Sequence, residues 1–368
     1  MTVLVMVSSC HSSADRQGLD PIRRGRELTR QLYAGAFDSL PRSAILDLGG
    51  AEDTVLLRWF LSRLHGPLGR EWPTEPLLAL EGPASGHAYL GKLDSAYGHE
   101  LAVIREAAYR CYQPLCELPE SFEYNRIVRF SRYPGNTLTI AWLWAGDSLV
   151  GGWIIPSHRA APTEFGNYQA TTRLQLPFSG EWVVLWGGTE PYENYHAEYP
   201  PVRFAYDFVV DSAGSLQRTT GSSNADYFCY GQPILTPAPG RVAIAIDSFP
   251  ENAPGTAPAG YRGPGNFVAI DHGNGETSIL AHLRRGSMRV AAGERVEVGD
   301  TVAQCGNNGE SMLPHLHYQL QLGAPPAWHP VPAPFDNFEA DGMHVARGIP
   351  TRGQHVTPNR ATAAVSRP

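Results

Sequence analysis

The sequence predicts an α+β domain followed by a mostly antiparallel, β-rich domain. Before about residue 64, apolar residues recur at spacings of three and four, which is typical of helices. After Tyr124 the apolar spacing changes to two, which is typical of strands. The chain also contains 38 glycines and 31 prolines, and they cluster between short apolar runs, which indicates many turns.

Composition restricts the classes of protein to which the chain can belong. Its 368 residues suffice for two domains with a substantial core. The net charge is −7 and there is no long basic run, which argues against a nucleic-acid partner. No apolar run approaches the roughly 18 residues that a membrane helix needs.

The first residues resemble the end of a bacterial lipoprotein signal. Apolar residues 3–7 are followed by two serines and then by Cys10, the position of the lipid-bearing cysteine. Residues 1–22 are therefore predicted to be a truncated signal and a disordered segment, with a lipid on Cys10 as the expected membrane contact. The apolar run is short and no basic residue precedes it, so a frayed N-terminus with a free cysteine is the alternative. The first interpretation predicts an exported protein of the periplasm or cell envelope.

Four further cysteines are Cys111, Cys116, Cys229 and Cys305. An even number suits an oxidising compartment, although the pairing cannot be deduced from sequence. Cys111 and Cys116 are close enough for a local bridge. Four buried free thiols are the other interpretation.

Residues 23–155 are predicted to form the α+β accessory domain. Apolar spacing predicts helices over residues 23–64 and 94–112. Alternation then predicts strands at 127–130, 137–144 and 148–155, and the tripeptide Ala-Gly-Asp at 145–147 indicates a hairpin. Helices followed by an antiparallel meander resemble the cone-shaped cystatin-like or nuclear-transport-factor-like domains found beside exported bacterial enzymes.

A proline-rich linker, residues 156–167, precedes the predicted β-rich domain of residues 168–345. Strands are predicted at 172–176, 182–186, 203–210, 240–246, 266–272, 277–283 and within 290–302. The strongest hairpin signal is Gly-Asn-Gly at 273–275, between two alternating runs. Residues 346–368 are predicted to form a short hairpin and a polar tail.

Candidate metal ligands lie on these strands. His315 and His317 are one residue apart in a predicted strand, so their side chains point to the same face. Catalytic zinc usually takes three ligands from His, Asp, Glu or Cys and leaves one position open. His196, Asp207 and His282 are the other candidates, the last at the end of a hairpin strand.

Six short motifs occur in a fixed order in this part of the chain. They are Gly-Arg-Val at 240–242, the hairpin at 268–275, Ala-His-Leu at 281–283, a glycine-spaced segment at 293–300, Gly-Asn-Asn-Gly at 306–309 and Pro-His-Leu-His at 314–317. In this order they resemble the lysostaphin-type, LytM-like zinc metallopeptidases that cut peptidoglycan peptides. The resemblance covers about residues 180–322. It implies a lysostaphin-like β-sandwich of the duplicated-hybrid-motif type.

The same resemblance implies the roles of the candidate residues. It implies one Zn²⁺ per chain, held by His196, Asp207 and His317, and a catalytic pair, His282 and His315. The implied activity is hydrolysis of peptidoglycan cross-links by zinc-activated water with proton transfer by the two histidines. One spacing departs from the family pattern, which places the first histidine four residues before the aspartate, whereas His196 lies eleven residues before Asp207. Which histidine is the general base, and which bond is cut, stay open.

Two other functions compete with this interpretation. A non-catalytic relative of the same fold would bind peptidoglycan or activate another hydrolase, and such proteins typically lack several of the five residues. A lipoyl- or biotinyl-carrier barrel would present a lysine at a hairpin tip, and residues 180–322 contain no lysine, which excludes it. Three polar residues before the histidine pair are expected to shape the groove wall: Asn307, Asn308 and Ser311. The role of the accessory domain and the oligomeric state stay open.

Overall fold

The computed structural model describes residues 27, 30, 106–109, 128–132, 138–145, 148–156, 160–191, 193–256, 263–324 and 327–359. The chain divides into two compact units, and the described elements before residue 157 belong to the first unit. Residues 157–368 belong to the second unit. Within the described part of the chain, no helix is both long enough and apolar enough to cross a membrane.

The first unit contains a four-stranded antiparallel sheet in the order β1-β2-β3-β4. Its strands are β1 (Glu106–Tyr109), β2 (Val128–Arg132), β3 (Leu138–Ala145) and β4 (Ser148–Pro156). Ala145 pairs with Ser148, so two residues connect β3 to β4. This confirms the predicted three strands and their hairpin.

Part of the predicted helical content of this unit is wrong. Residues 106–109, inside the predicted helix 94–112, form β1 and pair with β2. Pairing with a neighbouring strand has outweighed the local spacing of apolar residues, which is a weak determinant by itself. Glu27 and Arg30 are helical, and the rest of the predicted helix 23–64 lies outside the described residues. The cystatin-like arrangement stays a prediction.

The second unit is built from antiparallel strands, which confirms the predicted β-rich architecture. Its strands are β5 (Trp182–Trp186), β6 (Tyr206–Val209), β7 (Pro233–Leu235), β8 (Gly240–Ile246), β9 (Phe267–Asp271), β10 (Glu276–Ala281), β11 (Arg295–Val296), β12 (Thr301–Gln304), β13 (Leu316–Leu322), β14 (His329–Val331), β15 (Phe335–Ala340), β16 (Met343–Gly348) and β17 (His355–Pro358). Short 3-10 helices span Tyr195–Glu198, Pro200–Val202 and Asn224–Asp226.

An eleven-stranded sheet runs in the order β11-β8-β9-β10-β13-β6-β5-β17-β15-β16, and β14 also pairs with β13. β12 and β7 form a separate two-stranded sheet. The hairpin predicted within residues 346–368 is wrong, because β16 pairs with β15 while β17 lies between β15 and β5. Alternation identifies a strand but does not identify its partner. The predicted strand 172–176 is also wrong, since only an isolated bridge joins Leu174 to Phe335.

Successive side chains of the central strands point alternately into the core and to the opposite face of the sheet. Tyr206 and Phe208 of β6 pack in the core with Leu316 and Tyr318 of β13, and none is more than 1% exposed. Burying each such side chain contributes roughly 1.5–3 kcal/mol. Asp207, between the two core residues of β6, therefore points to the other face, because side chains alternate along a strand.

A disulfide joins Cys229 to Cys305 across 76 residues of sequence. Both cysteines are buried in the main core. This decides one pairing that the sequence leaves open. Cys10, Cys111 and Cys116 lie outside the described residues.

Candidate active site

The structure brings all five candidate residues together on one face of the large sheet. Asp207 of β6 and His317 of β13 are direct cross-strand partners, so their side chains meet on that face. His196 comes from the 3-10 helix Tyr195–Glu198. His282 follows the last residue of β10, and His315 precedes the first residue of β13.

Three of these residues form a group that can hold a metal ion. The ligand atoms of His196, Asp207 and His317 all lie within 4.8 Å of one another. Nδ1 of His317 is 2.9 Å from Oδ1 of Asp207, and Nε2 of His196 is 3.5 Å from its Oδ2. Tetrahedral zinc with ligands at about 2.0–2.2 Å places its ligand atoms roughly 3.4 Å apart. The three side chains therefore fit a zinc ion without rearrangement of the sheet.

A buried asparagine determines which ring nitrogen of His196 faces Asp207. Nδ2 of Asn194 donates to the carbonyl oxygens of Gly188 and Ala205, at 2.8 and 2.9 Å. The other side-chain atom, Oδ1, is therefore the acceptor, and it lies 2.9 Å from Nδ1 of His196. Nδ1 carries the proton, which leaves the lone pair of Nε2 directed at Asp207.

Gln319 has the corresponding role beside His317. Its Oε1 lies 3.2 Å from Nε2 of His317 and can accept a proton from it, and Nδ1 of His317 faces the carboxylate of Asp207. With the proton on Nε2, the lone pair of Nδ1 is directed at that carboxylate, as metal binding requires. A nitrogen lone pair and a carboxylate oxygen repel each other unless a cation or a proton lies between them. Two such lone pairs directed at one carboxylate are the donor set of a metal site.

His282 and His315 are held by main-chain carbonyl groups. Nδ1 of His282 donates to the carbonyl of Asn308 at 2.7 Å, and Nδ1 of His315 donates to that of Leu313 at 2.9 Å. The Nε2 atom of His282 therefore remains available, and that of His315 faces Asp207, 3.4 Å from Oδ1. The two rings are 4.7 Å apart between centroids.

The backbone of His282 adopts a left-handed conformation, with φ of 61°. This conformation costs a non-glycine residue roughly 1–2 kcal/mol, and it occurs mainly where function constrains the chain. The amide of His282 donates to Pro264, and Gly306 lies directly against the main chain on the other side. A Cβ atom at Gly306 would lie 2.8 Å from the carbonyl oxygen of His282, so a larger residue there would displace the main chain at His282.

The charges of the site favour an ionised Asp207, with His196 and His282 neutral. Burial by itself would raise the pKa of Asp207, but His196, His315 and His317 hold that pKa well below its usual range. Burial lowers the pKa of His196 to about 3 and that of His282 well below its ordinary value. Burial also opposes protonation of His315, but the charge of Asp207 and a hydrogen bond to it outweigh burial and raise the pKa of His315. Neutral His196 has the free lone pair that metal binding needs.

A second group of three possible ligands, His282, His315 and His317, shares one member with the first. It contains no carboxylate to balance the charge of a divalent cation. The group that contains Asp207 does, which makes it the better candidate for a metal.

Sequence reasoning missed the residues that orient the site. Asn194 and Gln319 were not recognised. The three residues expected to shape the groove wall are buried, and two of them, Asn308 and Ser311, contact the histidine pair. Their role in a groove wall stays a prediction. The signal for Asn194 is its position two residues before His196. At that spacing an Asn side chain accepts a hydrogen bond from the main-chain amide, as it does here at 3.2 Å.

Aromatic rings surround His196. The ring of Tyr195 is 4.1 Å from that of His196 and packs edge-on against Trp186 at 5.1 Å. Burial and the charge of Asp207 raise the pKa of Tyr195 well above its usual value, so its phenol stays protonated.

Comparison with known families agrees with this arrangement of motifs. Residues 222–327 match the model of Peptidase family M23, which confirms the resemblance to the lysostaphin-type metallopeptidases. His282, His315 and His317 lie inside the matched segment, and His196 and Asp207 lie before it.

Individual relatives match over short segments. An uncharacterized metalloprotease of Haemophilus influenzae is 32% identical over 93 residues, which are 25% of this chain and 16% of that protein. The peptidoglycan DD-endopeptidase ShyA of Vibrio cholerae is 39% identical over 56 residues, 15% of this chain and 13% of ShyA. The chain thus spans less than a fifth of these relatives. A catalytic-domain structure of the M23 protein EnpA from Enterococcus faecalis is 19% identical, covers 45% of this chain and 94% of its own, and has a TM-score of 0.25.

Proposed function

We propose that residues 168–345 act as a zinc-dependent endopeptidase on the peptide cross-links of bacterial peptidoglycan. The observation that carries the proposal is the meeting of a His-Asp-His group with a pair of histidines on one sheet face. The match to Peptidase family M23 supports peptide hydrolysis, and the similarity to ShyA, a peptidoglycan DD-endopeptidase, supports peptidoglycan as the substrate.

Three residues would hold the zinc ion. Nε2 of His196, a carboxylate oxygen of Asp207 and Nδ1 of His317 supply the ligand atoms, and Asn194 and Gln319 keep the two rings oriented. Zinc in such a site polarises a peptide carbonyl and makes water more acidic.

His282 and His315 would move protons at their Nε2 atoms. Each ring keeps its other proton on Nδ1, where a main-chain carbonyl accepts it. The neutral partner accepts the proton that water loses on attack, and the protonated partner donates to the developing oxyanion or the leaving amine. The buried position of both rings excludes bulk water from these transfers.

We further propose that the protein works outside the cytoplasm, with a lipid on Cys10 as its membrane contact. The disulfide between Cys229 and Cys305 supports export, because cytosolic thiols are normally kept reduced. Residues 23–155 would serve as an accessory domain, separated by the linker of residues 156–167.

Zinc content and the digestion of purified peptidoglycan sacculi test this proposal. Wild type is expected to bind about one zinc ion and to release soluble muropeptides. Asp207→Asn is expected to lose zinc affinity by more than about 100-fold, since even residues behind the ligands are worth 10–100-fold. Asp271→Asn, the same change at an exposed carboxylate, is the matched control.

Two outcomes would overturn the proposal. Full digestion of sacculi by Asp207→Asn would show that the metal group does not carry the activity. Binding of sacculi by zinc-loaded wild type without any release of muropeptides would favour the non-catalytic alternative.

A further inference from the structure

We infer that Asn194 is a positioning residue that holds His196 in its metal-binding orientation across the long loop before Asp207. The inference rests on and deepens the proposed function, because it explains how His196 is oriented although ten residues lie between it and Asp207. It concerns metal affinity and can be tested without measuring hydrolysis.

Asn194 lies in the loop between β5 and β6 and joins the two ends of that loop. The loop between β5 and β6 leaves the sheet near Gly188 and returns at Ala205, one residue before β6. Asn194 donates to the carbonyl oxygens of both residues and so joins the two ends of this loop. The side chain is completely buried, which makes a broken hydrogen bond there costly.

The remaining side-chain acceptor of Asn194 is directed at His196. Because Nδ2 is occupied by two carbonyl groups, Oδ1 must face the other way, and it accepts from both the main-chain amide and Nδ1 of His196. One side chain therefore fixes the backbone, the ring orientation and the tautomer of this ligand. A spacing of four residues on one strand would place two ligands on one face by alternation alone. His196 instead lies in a 3-10 helix, and ten residues that include a second 3-10 helix separate it from Asp207. Alternation therefore cannot orient His196, and the hydrogen bonds of Asn194 do so.

Two substitutions separate orientation of the ligand from support of the fold. Asn194→Ala removes the acceptor and both donors. Asn194→Asp removes the donors but keeps an acceptor for Nδ1 of His196. Both variants are expected to unfold at a lower temperature than wild type, because both leave the carbonyl groups of Gly188 and Ala205 without their donor.

Zinc affinity is expected to distinguish the two variants. Asn194→Ala is expected to bind zinc 10–100-fold more weakly in competition with a chromogenic chelator, which is the usual effect of losing a residue that orients a ligand. Asn194→Asp is expected to bind within about threefold of wild type or more tightly, since a carboxylate makes the ring a stronger ligand. The absorption spectrum of Co²⁺-loaded protein is expected to change for the alanine variant only.

Asn266→Ala is the matched control. Asn266 is also completely buried and joins its loop to the main chain of Phe249, but it contacts no proposed ligand. Its loss is expected to lower the unfolding temperature and to leave zinc affinity unchanged.

The outcomes separate this inference from the proposed function. Equal zinc affinity of wild type and Asn194→Ala, or equal losses in the alanine and aspartate variants, would overturn the positioning role while leaving the peptidase proposal intact. The expected affinity pattern together with wild type that never digests sacculi would support the positioning role and overturn the peptidase. Wild type that binds no zinc would overturn both.

Discussion

The two halves of the site are held in different ways. On the ligand side, Asp207 and His317 are register partners in adjacent strands, so the ladder of the sheet fixes their approach. On the other side, His282 and His315 lie one residue beyond the ends of their strands and depend on carbonyl groups of a loop. The proposed proton-transfer pair should therefore be the more sensitive half to changes in loop structure, and the ligand side the more sensitive to changes in the sheet.

The loop that supports the histidine pair requires close contact between main chains. Gly265 and Gly309 both have positive φ, and a Cβ at Gly309 would lie 2.4 Å from the amide nitrogen of Gly265. Asn308, between them in space, donates to Leu283 and accepts from Asn266. These contacts place the carbonyl oxygen of Asn308 where the ring of His282 needs it.

The largest expected effect is a loss of sacculus digestion without a loss of zinc binding. His315→Ala is expected to lower kcat for sacculus digestion by about 10²–10⁴-fold, because it removes a proton-transfer group. Zinc affinity is expected to stay within a few-fold of wild type, because the ring is not among the proposed ligands. Digestion rate and zinc content of one preparation check this.

The control for this variant is His272→Ala, a histidine bonded to Pro239 and Ser278 away from the site. It is expected to keep both activity and zinc. Loss of zinc from His315→Ala would mean that the alternative group of three histidines holds the metal.

The disulfide is expected to stabilise mainly the half of the site that contains His282 and His315. Cys305 forms an isolated bridge with Leu283, the residue after His282. Replacing Cys229 and Cys305 by serine is expected to reduce the free energy of unfolding by about 4 kcal/mol, because the cross-link closes 76 residues. Urea denaturation measures the change.

The background for this comparison is a chain in which Cys10, Cys111 and Cys116 are serine. A reducing agent should lower the free energy of unfolding of that chain by the same amount. The same agent should not change the stability of the double variant. A double variant as stable as its background would contradict the prediction.

A smaller effect is expected inside the supporting loop. Oγ of Ser311 lies 3.2 Å from Nδ1 of His315 and 2.9 Å from the carbonyl oxygen of Leu313. Ser311→Ala is expected to lower kcat for sacculus digestion about tenfold, which corresponds to one buried hydrogen bond, with unchanged zinc affinity. Ser311→Thr should restore most of the rate, and a zinc loss in Ser311→Ala would contradict the separation of the two halves.

The smallest effect is expected at the far end of β10 from His282. Glu276 is fully buried and accepts hydrogen bonds from Tyr168 and from the amides of Thr171 and Thr172. Burial would raise its pKa, but these hydrogen bonds hold the pKa below its usual value. Such a carboxylate stabilises the fold above its unfolded pKa of about 4.3, and the stabilisation is lost as pH falls through the lower folded pKa.

Glu276→Gln is accordingly expected to reduce the free energy of unfolding by about 1–2 kcal/mol at pH 7, and the difference from wild type should shrink as the pH falls below about 4. Urea denaturation at several pH values measures this. Glu339→Gln, at an exposed position, is the control. If the difference in unfolding free energy between Glu276→Gln and wild type grows on acidification, the lowered pKa of Glu276 is contradicted.

The sequence by itself determined the class of the second domain and the identity of five candidate residues. Alternation of side chains directs Asp207 to the face opposite that of Tyr206 and Phe208. The order of the short motifs indicates the metallopeptidase family without any knowledge of strand pairing. These features depend on local periodicity and residue type, and both can be read directly from the amino-acid sequence.

Only the tertiary structure decided which elements pair and what orients the site. Residues 106–109 became a strand because β2 offers a partner, and β17 joined β5 and β15 because pairing is a long-range choice. The positive φ of His282 and the tautomer of His196 depend on Gly306 and Asn194, and those contacts exist only after the chain has folded. The spacing of residues along the chain cannot predict such contacts, because each contact joins residues that no local sequence pattern connects.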